Sequence, residues 1–311
     1  MKIAFLFPGQ GSQKIGMGKD LYEKYEEIRN IYEKVKEITG INIAKITFED
    51  EEKLQQTEYT QLAIATMSLG ILEVLKKNHV EAQFTAGLSL GEYPALIYGG
   101  FISLEDGLQL LKYRGYYMQH MVPEEEYLMA AVMGLSTETI EKICTEIENN
   151  GLFVKPANYN YSGQTVISGN KEAVEKAIEM LKQAGAKRVV PLNTSGPFHT
   201  TKLLEASKEY DKELAKYTYH TGNKTVIKNI DGLPYDEKSD IATILEKHIV
   251  SPVRFDKTIE YLFKEQVDTF IEIGPGKALT GFIRKENKEA KTINIDNVES
   301  LENFLKEWEE K

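Results

Sequence analysis

The sequence predicts an α/β protein in which a large domain with a parallel sheet holds a small α+β domain as an insert. Uninterrupted apolar runs such as residues 3–7 alternate with helical segments at both ends of the chain, as is typical of parallel strands buried on both faces. Residues 126–196 differ, because their elements follow the order βαββαβ of a ferredoxin-like module. We therefore predict one domain from residues 1–125 with 197–311 and an inserted domain from residues 126–196.

In the large domain, the segment 60–77 is apolar around most of its circumference and is expected to be a buried helix. Ser103, three residues before Asp106, is predicted to begin a helix over residues 103–120 in the manner of a capping box. A further helix is predicted over residues 18–39. The predicted strands are residues 3–7, 83–87, 225–230, 267–273 and 292–295.

Six elements are predicted within the insert. The strands are residues 127–134, 153–159, 165–168 and 187–192, and the helices are residues 137–149 and 171–184. Because this module lies between two stretches that alternate strand and helix, it is expected to be an insertion rather than a tail.

The composition excludes several classes of protein. The chain has 311 residues and a net charge of −10, whereas a general nucleic-acid binder needs a basic face. No run approaches the ~18 consecutive apolar residues of a membrane-spanning helix. Cys144 is the only cysteine, which excludes an intrachain disulfide and fits a cytoplasmic location. No cluster of histidine, aspartate and glutamate residues has the spacing of metal ligands, so we expect no metal.

The strongest signal is Gly87-Leu88-Ser89-Leu90-Gly91, a G-x-S-x-G motif between a predicted strand and a predicted helix. In this context the serine lies on a sharp turn that exposes its hydroxyl, and the N–H of the next residue is able to join an oxyanion hole. The motif alone is common by chance, and its alternative is an ordinary glycine-rich turn. The flanking strand and helix favour Ser89 as a nucleophile.

A serine nucleophile needs a base that accepts its proton. In this architecture the base follows the serine along the chain, so the candidates are His120, His199, His220 and His248. His120 is at a helix end, where capping is the simpler explanation, and His220 is in a polar segment expected at the surface. His199 follows a rigid Ser-Gly-Pro-Phe segment at 195–198, and spacing alone favours it only modestly over His248.

Two other glycine-rich turns follow predicted strands. The turn at 9–13 has Lys14 where a dinucleotide fingerprint needs glycine, and the turn at 274–277 has Ile271 where a phosphate loop needs its first glycine. Both are instead predicted to line the cleft at the ends of central strands.

Arg114 lies beside the apolar stripe of the helix predicted over residues 103–120. Most arginines in such a position reach solvent or pair with a surface carboxylate. A ligand-binding role is the alternative, and the helix pattern alone gives it little support.

Together these motifs resemble the malonyl-CoA:acyl carrier protein transacylase family of fatty acid synthesis over nearly the whole chain. The resemblance rests on the order and spacing of FPGQGSQ at 7–13, TQ at 60–61, GLSLGEY at 87–93, YRG at 113–115, GQTVISG at 163–169, PFH at 197–199, SPVR at 251–254 and GPGK at 274–277. It implies an α/β-hydrolase-like large domain with an inserted ferredoxin-like domain, in agreement with the division above.

The resemblance also implies the residues that carry out the chemistry. Ser89 is the expected nucleophile, and His199 is the expected base ahead of His248. The main-chain N–H groups of Gln10 and Leu90 are expected to form the oxyanion hole, for which the neighbouring glycines leave room.

Substrate binding is implied at three further positions. Arg114 is expected to bind the free carboxylate of malonyl through two parallel charge-assisted hydrogen bonds. Gln61 is expected to line the pocket nearby. Phe198, directly before the base, resembles the malonyl-selective pattern, because a bulky ring leaves little space for a methyl group on the α-carbon of the substrate.

Two positions depart from the family pattern. Leu88 replaces the histidine usually found before the nucleophile, but that side chain is not expected to transfer protons. His248 stands where the family commonly has glutamine. The main-chain carbonyl at this position is expected to orient His199 in place of a triad aspartate, and a second imidazole nearby is able to alter the pH profile.

The partners implied by the resemblance are malonyl-CoA and an acyl carrier protein, with neither nucleic acid nor a membrane. No cofactor is expected besides the coenzyme A thioester substrate. Alternatives are a stand-alone acyltransferase of a polyketide synthase, a serine esterase or thioesterase, and a non-catalytic acyl-CoA-binding protein. Because the carrier protein is acidic, docking requires a basic patch, for which the candidates are Lys187, Arg188, Lys277 and Arg284.

Overall fold

The computed structural model describes residues 1–192 and 196–310. Within these residues the strands are β1 (Ile3–Phe7), β2 (Phe84–Gly87), β3 (Tyr127–Met133), β4 (Val154–Tyr161), β5 (Gln164–Asn170), β6 (Arg188–Leu192), β7 (Thr225–Val226), β8 (Val253–Arg254), β9 (Thr269–Ile273) and β10 (Lys291–Ile295). The helices are α1 (Lys19–Lys24), α2 (Glu26–Thr39), α3 (Ile43–Glu49), α4 (Glu51–Leu54), α5 (Thr57–Lys77), α6 (Glu92–Gly99), α7 (Leu104–His120), α8 (Thr137–Asn149), α9 (Lys171–Gln183), α10 (Leu204–Leu214), α11 (Ile241–Val250), α12 (Phe255–Lys264), α13 (Ala278–Glu286) and α14 (Val298–Glu309).

The larger unit is built on a parallel sheet with the strand order β10-β9-β1-β2-β7. Strands β1, β2 and β9 are buried along their whole length, as their apolar sequences predict. Phe5 and Phe7 of β1 pack into one apolar cluster, whereas Ala4 and Leu6 pack into a second cluster. Phe7 pairs with Gly87, so β1 and β2 end side by side at the carboxyl edge of the sheet.

The predicted helices of the large unit are present, with one correction. Helix α5 is buried over most of its length, and Ser103 caps α7 by accepting a hydrogen bond from the N–H of Asp106 at 3.0 Å. The single helix predicted over residues 18–39 is wrong, because Tyr25 has extended backbone angles that separate α1 from α2.

The strand predicted over residues 225–230 is also wrong in extent. Strand β7 ends at Val226, and Ile227 forms an isolated bridge with Pro234 as the chain turns back. The early end of the strand leaves Asn229 free of the sheet ladder, close to the end of β2.

The smaller unit is a sheet with the order β6-β3-β5-β4, antiparallel throughout, to which the short β8 adds in parallel beside β4. Its six predicted elements are present to within about two residues, and the mixed α/β class with a second small sheet is confirmed. The domain boundaries at residues 126 and 196 stay a prediction, and residues 193–195 beside the second boundary lie outside the described residues.

None of the helices within residues 1–192 and 196–310 combines the length and apolarity that crossing a membrane would require.

Candidate active site

The G-x-S-x-G motif forms a sharp strand-to-helix turn. Strand β2 ends at Gly87, Ser89 has a left-handed φ of 55°, and a 3-10 turn leads from it into α6. A Cβ on Gly87 would lie 2.0 Å from the carbonyl carbon of Gly91, and a Cβ on Gly91 would lie 2.2 Å from the Phe7 oxygen. Both glycines are therefore required by close backbone contacts, and the alternative of an ordinary loose turn does not describe this segment.

Asn229 holds the turn in place from the other side. Its Oδ1 accepts a hydrogen bond from the N–H of Ser89 at 2.8 Å, and its Nδ2 donates to the carbonyl of Gly87 at 2.8 Å. No role was predicted for this residue from the sequence. Its position after a strand of the parallel sheet is typical of site residues, but the strand predicted over residues 225–230 included Asn229.

His199 lies next to the Ser89 hydroxyl. The distance from Ser89 Oγ to His199 Nε2 is 2.8 Å, and the distance from His199 Nδ1 to the main-chain oxygen of His248 is 3.0 Å. A carbonyl only accepts, so Nδ1 carries the proton and Nε2 is left to accept one from the serine. The arrangement is suited to a general base whose orienting group is a neutral carbonyl rather than a carboxylate.

The environment of His199 favours its neutral form. Burial, together with repulsion from the protonated form of His248 and from the nearby Arg114, holds the pKa of His199 well below its ordinary value of 6.5. The imidazole is therefore uncharged at neutral pH and is ready to accept a proton. Of the Ser-Gly-Pro-Phe segment predicted before it, Ser195 lies outside the described residues.

The other histidines do not contact the Ser89 hydroxyl in the described part of the chain. The ring of His248 stacks on that of His199 with centroids 5.0 Å apart, and its Nδ1 lies 3.0 Å from Glu92 Oε2. His120 contacts Glu58 at 2.6 Å at the surface rather than capping a helix. The remaining two, His79 and His220, are exposed.

Arg114 is buried completely, so the expectation that it reaches solvent is wrong. Its Nη2 donates to Ser89 Oγ at 3.1 Å and its Nη1 donates to Gln61 Oε1 at 2.7 Å, while its guanidinium lies 5.6 Å from the centre of the Tyr93 ring. Among the described residues it has no carboxylate partner, and its Nε has no hydrogen-bond partner. A buried cation without a counter-ion is costly, which makes this position suited to an anionic ligand.

A cavity of about 570 Å³ opens above these residues. It lies between the carboxyl edge of the parallel sheet and the antiparallel sheet of the small unit. The predicted residues that line it are Gln10, Gln61, Ser89, Leu90, Phe198 and His199. Lys277 lines it as well, as predicted for the glycine-rich turn at 274–277.

Gln10 and Leu90 line the cavity that contains Ser89, and their role as oxyanion-hole donors stays a prediction. Gln10 follows β1, and its side chain donates to Thr57 Oγ1 at 3.1 Å. Leu90 directly follows Ser89 in the tight turn, and both residues line the cavity. In residues 1–192 and 196–310, no group of three histidine, cysteine or acidic side chains is arranged to hold a metal ion.

The fold and the contact between Ser89 and His199 define a class, the α/β proteins with a serine–histidine pair at a strand-to-helix elbow. Comparison with known proteins narrows this class. The acyl transferase domain family matches residues 4–303 of the chain. A malonyl CoA-acyl carrier protein transacylase of Bacillus subtilis is 41% identical over 302 residues, which cover 97% of this chain and 95% of that protein. The chain therefore belongs to the malonyl CoA-acyl carrier protein transacylase family.

Solved structures agree with this membership. The malonyl CoA-acyl carrier protein transacylase of Clostridium perfringens superposes with a TM-score of 0.94 at 41% identity, covering 100% of this chain and 98% of that one. A malonyl-transacylase in complex with a type II polyketide synthase acyl-carrier protein superposes with a TM-score of 0.94 at 32% identity, covering 99% of this chain and 100% of that one.

Proposed function

We propose that this protein transfers the malonyl group of malonyl-CoA to the phosphopantetheine thiol of an acyl carrier protein in fatty acid synthesis, through a malonyl ester on Ser89. One observation carries the proposal: the Ser89 hydroxyl lies 2.8 Å from a neutral imidazole and 3.1 Å from a buried, unpaired guanidinium. The names of the relatives and solved structures described above support the same substrate and acceptor.

In the first half-reaction, His199 Nε2 accepts the proton of Ser89 while Oγ attacks the thioester carbonyl of malonyl-CoA. The N–H groups of Gln10 and Leu90 stabilise the oxyanion that forms, and each such donor contributes about 3–4 kcal/mol to lowering the barrier. When the tetrahedral intermediate collapses, the C–S bond breaks and the proton passes from His199 to the sulfur. Coenzyme A leaves as a thiol, and malonyl remains as an ester on the serine.

The second half-reaction runs the same steps in the opposite sense. His199 accepts the proton of the carrier thiol, the sulfur attacks the ester carbonyl, and Ser89 leaves with the returned proton. Only side chains, main-chain N–H groups and the thioester take part, so the proposal includes no cofactor. A cytoplasmic site of action is also part of the proposal, supported by the single cysteine, Cys144, which is buried as a free thiol.

Arg114 is proposed to hold the malonyl carboxylate. Its present partners are a hydroxyl and an amide oxygen, both neutral, and a carboxylate offers the guanidinium two charge-assisted bonds in their place. The same contact keeps the acyl group in place while coenzyme A leaves and the carrier protein arrives. Because Arg114 has no counter-ion, the pocket should select an acyl group that carries a free carboxylate.

Intact-protein mass measurement after incubation with malonyl-CoA tests the proposal. We expect a malonyl adduct on the native chain and none on the Ser89→Ala variant. Ser12, another serine that lines the cavity, provides a matched control, because Ser12→Ala should retain the adduct. An adduct that persists in Ser89→Ala would contradict the assignment of the nucleophile.

A polyketide synthase carrier protein is a second candidate acceptor, because one of the superposed structures holds its transacylase in complex with such a carrier. Transfer from the malonylated enzyme to carriers of both kinds separates the two pathways. The lifetime of the adduct in water without any carrier separates a transferase from an esterase or thioesterase.

A further inference from the structure

Glu92 is a buried carboxylate that the mechanism does not use. It lies in the first turn of α6, three residues after Ser89, and its side chain is fully inaccessible to solvent. Burying a carboxylate is costly unless hydrogen bonds or charges compensate it. Two separate series of contacts, called routes below, connect this carboxylate to Ser89 and to His199, the proposed catalytic pair.

The first route runs from Oε1 of Glu92 to the serine. This oxygen accepts a hydrogen bond from the hydroxyl of Tyr235 at 2.7 Å and another from the N–H of Asn229 at 3.3 Å. The side chain of Asn229 in turn accepts from the N–H of Ser89 and donates to the carbonyl of Gly87. The carboxylate therefore helps to fix the residue that holds Ser89 in its left-handed conformation.

The second route runs from Oε2 to the base. This oxygen lies 3.0 Å from Nδ1 of His248, and the main-chain oxygen of His248 lies 3.0 Å from Nδ1 of His199. The side chain of His248 is thus held at one end by Glu92, while its backbone orients the imidazole of His199.

The contact between Glu92 and His248 is close but is not aligned as a hydrogen bond. Within the described residues, Oε2 of Glu92 and both ring nitrogens of His248 have no aligned hydrogen-bond partner, although all are buried. Buried polar atoms without an aligned partner are rare in folded proteins, and each calls for an explanation. The contact between the two side chains, at 3.0 Å, keeps the end of α11 against the start of α6.

We propose that Glu92 is a positioning residue that sets the relative placement of Ser89 and His199, acting on Ser89 through Asn229 and on His199 through His248. The inference deepens the proposed function and rests on it for the identity of the reacting pair. Glu92 does not line the cavity, so its contribution is to the rate of the chemical step and not to the binding of malonyl-CoA.

The titratable groups around the His248 ring come from other elements. Glu92 on α6 favours the protonated ring and Arg114 on α7 disfavours it, while the ring of His199, in the loop before α10, stacks on that of His248. On α10, which packs on α11, the buried Tyr210 shares a hydrogen bond with Tyr93. Burial lowers the pKa of His248, and Glu92 opposes this effect.

The test compares Glu92→Gln and Glu92→Ala with Glu213→Gln. Glu213 is the matched control because it is also buried and also accepts a hydrogen bond from a tyrosine, Tyr117, but lies on α10 away from the Ser89–His199 pair. We expect kcat for malonyl transfer to fall about 10- to 100-fold in Glu92→Gln, and further in Glu92→Ala, with KM for malonyl-CoA changed less than about 2-fold. Wild-type kcat in Glu92→Gln, or an equal loss in Glu213→Gln, would overturn the inference.

A second measurement keeps the inference separate from the proposed function. Phenylmethylsulfonyl fluoride sulfonylates an activated serine without needing a malonyl site, and mass measurement locates the modified residue. Glu92→Gln should slow the modification of Ser89 about 10-fold or more even if the protein does not use malonyl-CoA. Unchanged sulfonylation would contradict the positioning role, whereas a wild-type chain that forms no malonyl adduct would contradict only the proposed function.

Variants of His248 test the second route if the Glu92 variants do not fold. His248→Gln keeps a side-chain donor for Glu92, and His248→Ala removes it, while both keep the main-chain carbonyl. Glutamine should therefore recover most of the kcat that alanine loses. Both substitutions should move the acid limb of the pH profile to higher pH, because each removes the ring whose protonated form lowers the pKa of His199. Equal kcat values for the two variants would contradict the inference.

Discussion

The cavity has two walls that differ in chemistry. The wall from the parallel sheet carries Ser89 and His199, with the buried charge of Arg114 behind them. In the described part of the small unit, by contrast, the residues that line the cavity are all neutral: Met129, Ala131, Asn158, Asn160, Gln164, Val166 and Leu192. We therefore propose that bonds are broken at the first wall, while the second wall supplies shape and neutral polar contacts. Substitutions at the two walls should therefore affect different kinetic constants.

The largest effect is expected for His199→Ala, at the first wall. Without the imidazole, the proton of Ser89 has no acceptor within hydrogen-bond distance, so kcat for malonyl transfer should fall at least about 1,000-fold. Rapid-mixing measurement of adduct formation checks this, with the exposed His220→Ala as the control. If His248 rather than His199 were the base, the variant would retain substantial activity, and that result would reverse the assignment.

The next largest effect is expected for Arg114→Ala. The loss of two charge-assisted bonds should lower kcat/KM with malonyl-CoA about 100-fold, whereas acetyl-CoA, whose acyl group has no free carboxylate, should lose far less. Steady-state kinetics with both thioesters checks the ratio. Equal losses with the two substrates would show that the buried guanidinium supports the fold and does not select the acid.

More features of the first wall than of the second could be predicted from the sequence. The glycines around Ser89 are dictated by backbone contacts of about 2 Å, so the motif itself carries the geometry of the turn. The burial of Arg114 could not be predicted, because the apolar stripe of its helix does not show whether a residue beside the stripe faces solvent or another helix. No role was predicted for Asn229 or Glu92 for a related reason, since their partners are distant in sequence. Asn229 lies in no motif, and the motif that contains Glu92, GLSLGEY at 87–93, does not show which groups its side chain contacts.

In the small unit, the order of elements could be predicted, but the contacts could not. The alternation of strands and helices gives βαββαβ directly, and the structure reproduces it. The addition of β8 beside β4 was not predicted, because a two-residue strand from the other unit leaves no pattern in the sequence. The breaks at Tyr25 and after Val226 were likewise not predicted. Tyr25 adopts extended angles within a helical pattern, and after Val226 the chain turns back through the bridge between Ile227 and Pro234.

A smaller effect is expected for Phe198→Ala, where the substrate's α-carbon is proposed to lie. The ring is almost fully buried and lines the cavity, so its removal opens space for a methyl branch. We expect kcat/KM for methylmalonyl-CoA to rise about 10-fold relative to that for malonyl-CoA. Competition between the two thioesters, read by the mass of the adduct, measures the ratio directly. An unchanged ratio would remove Phe198 from the account of selectivity.

Asn160→Ala tests the second wall. In the native chain, the Nδ2 of Asn160 donates to Gln164 Oε1 at 2.8 Å. The buried Oδ1 of Asn160 has no partner among the described residues, so it is available to accept a hydrogen bond from a ligand in the cavity. One neutral hydrogen bond corresponds to about a 3- to 10-fold change, so we expect KM for malonyl-CoA to rise by this factor with little change in kcat. A fall in kcat comparable with that of Arg114→Ala would show that the two walls do not divide binding from chemistry.

The smallest change is expected when the pH is lowered from 7 to 6. A base with the ordinary histidine pKa of 6.5 would lose about 3-fold in its neutral form over this range. Because burial holds the pKa of His199 well below that value, kcat/KM should fall by much less. The stability of the fold, by contrast, should depend clearly on pH over this range. His199 and His248 both have lowered pKa values when folded, so the unfolded chain binds more protons below about pH 6.5, and the free energy of unfolding should decrease as the pH falls. Thermal unfolding between pH 7 and 5 measures this decrease, which should be smaller in His248→Gln than in the exposed control His220→Gln. A full 3-fold loss of activity at pH 6 would mean that the first wall admits enough water to restore the ordinary pKa of the base.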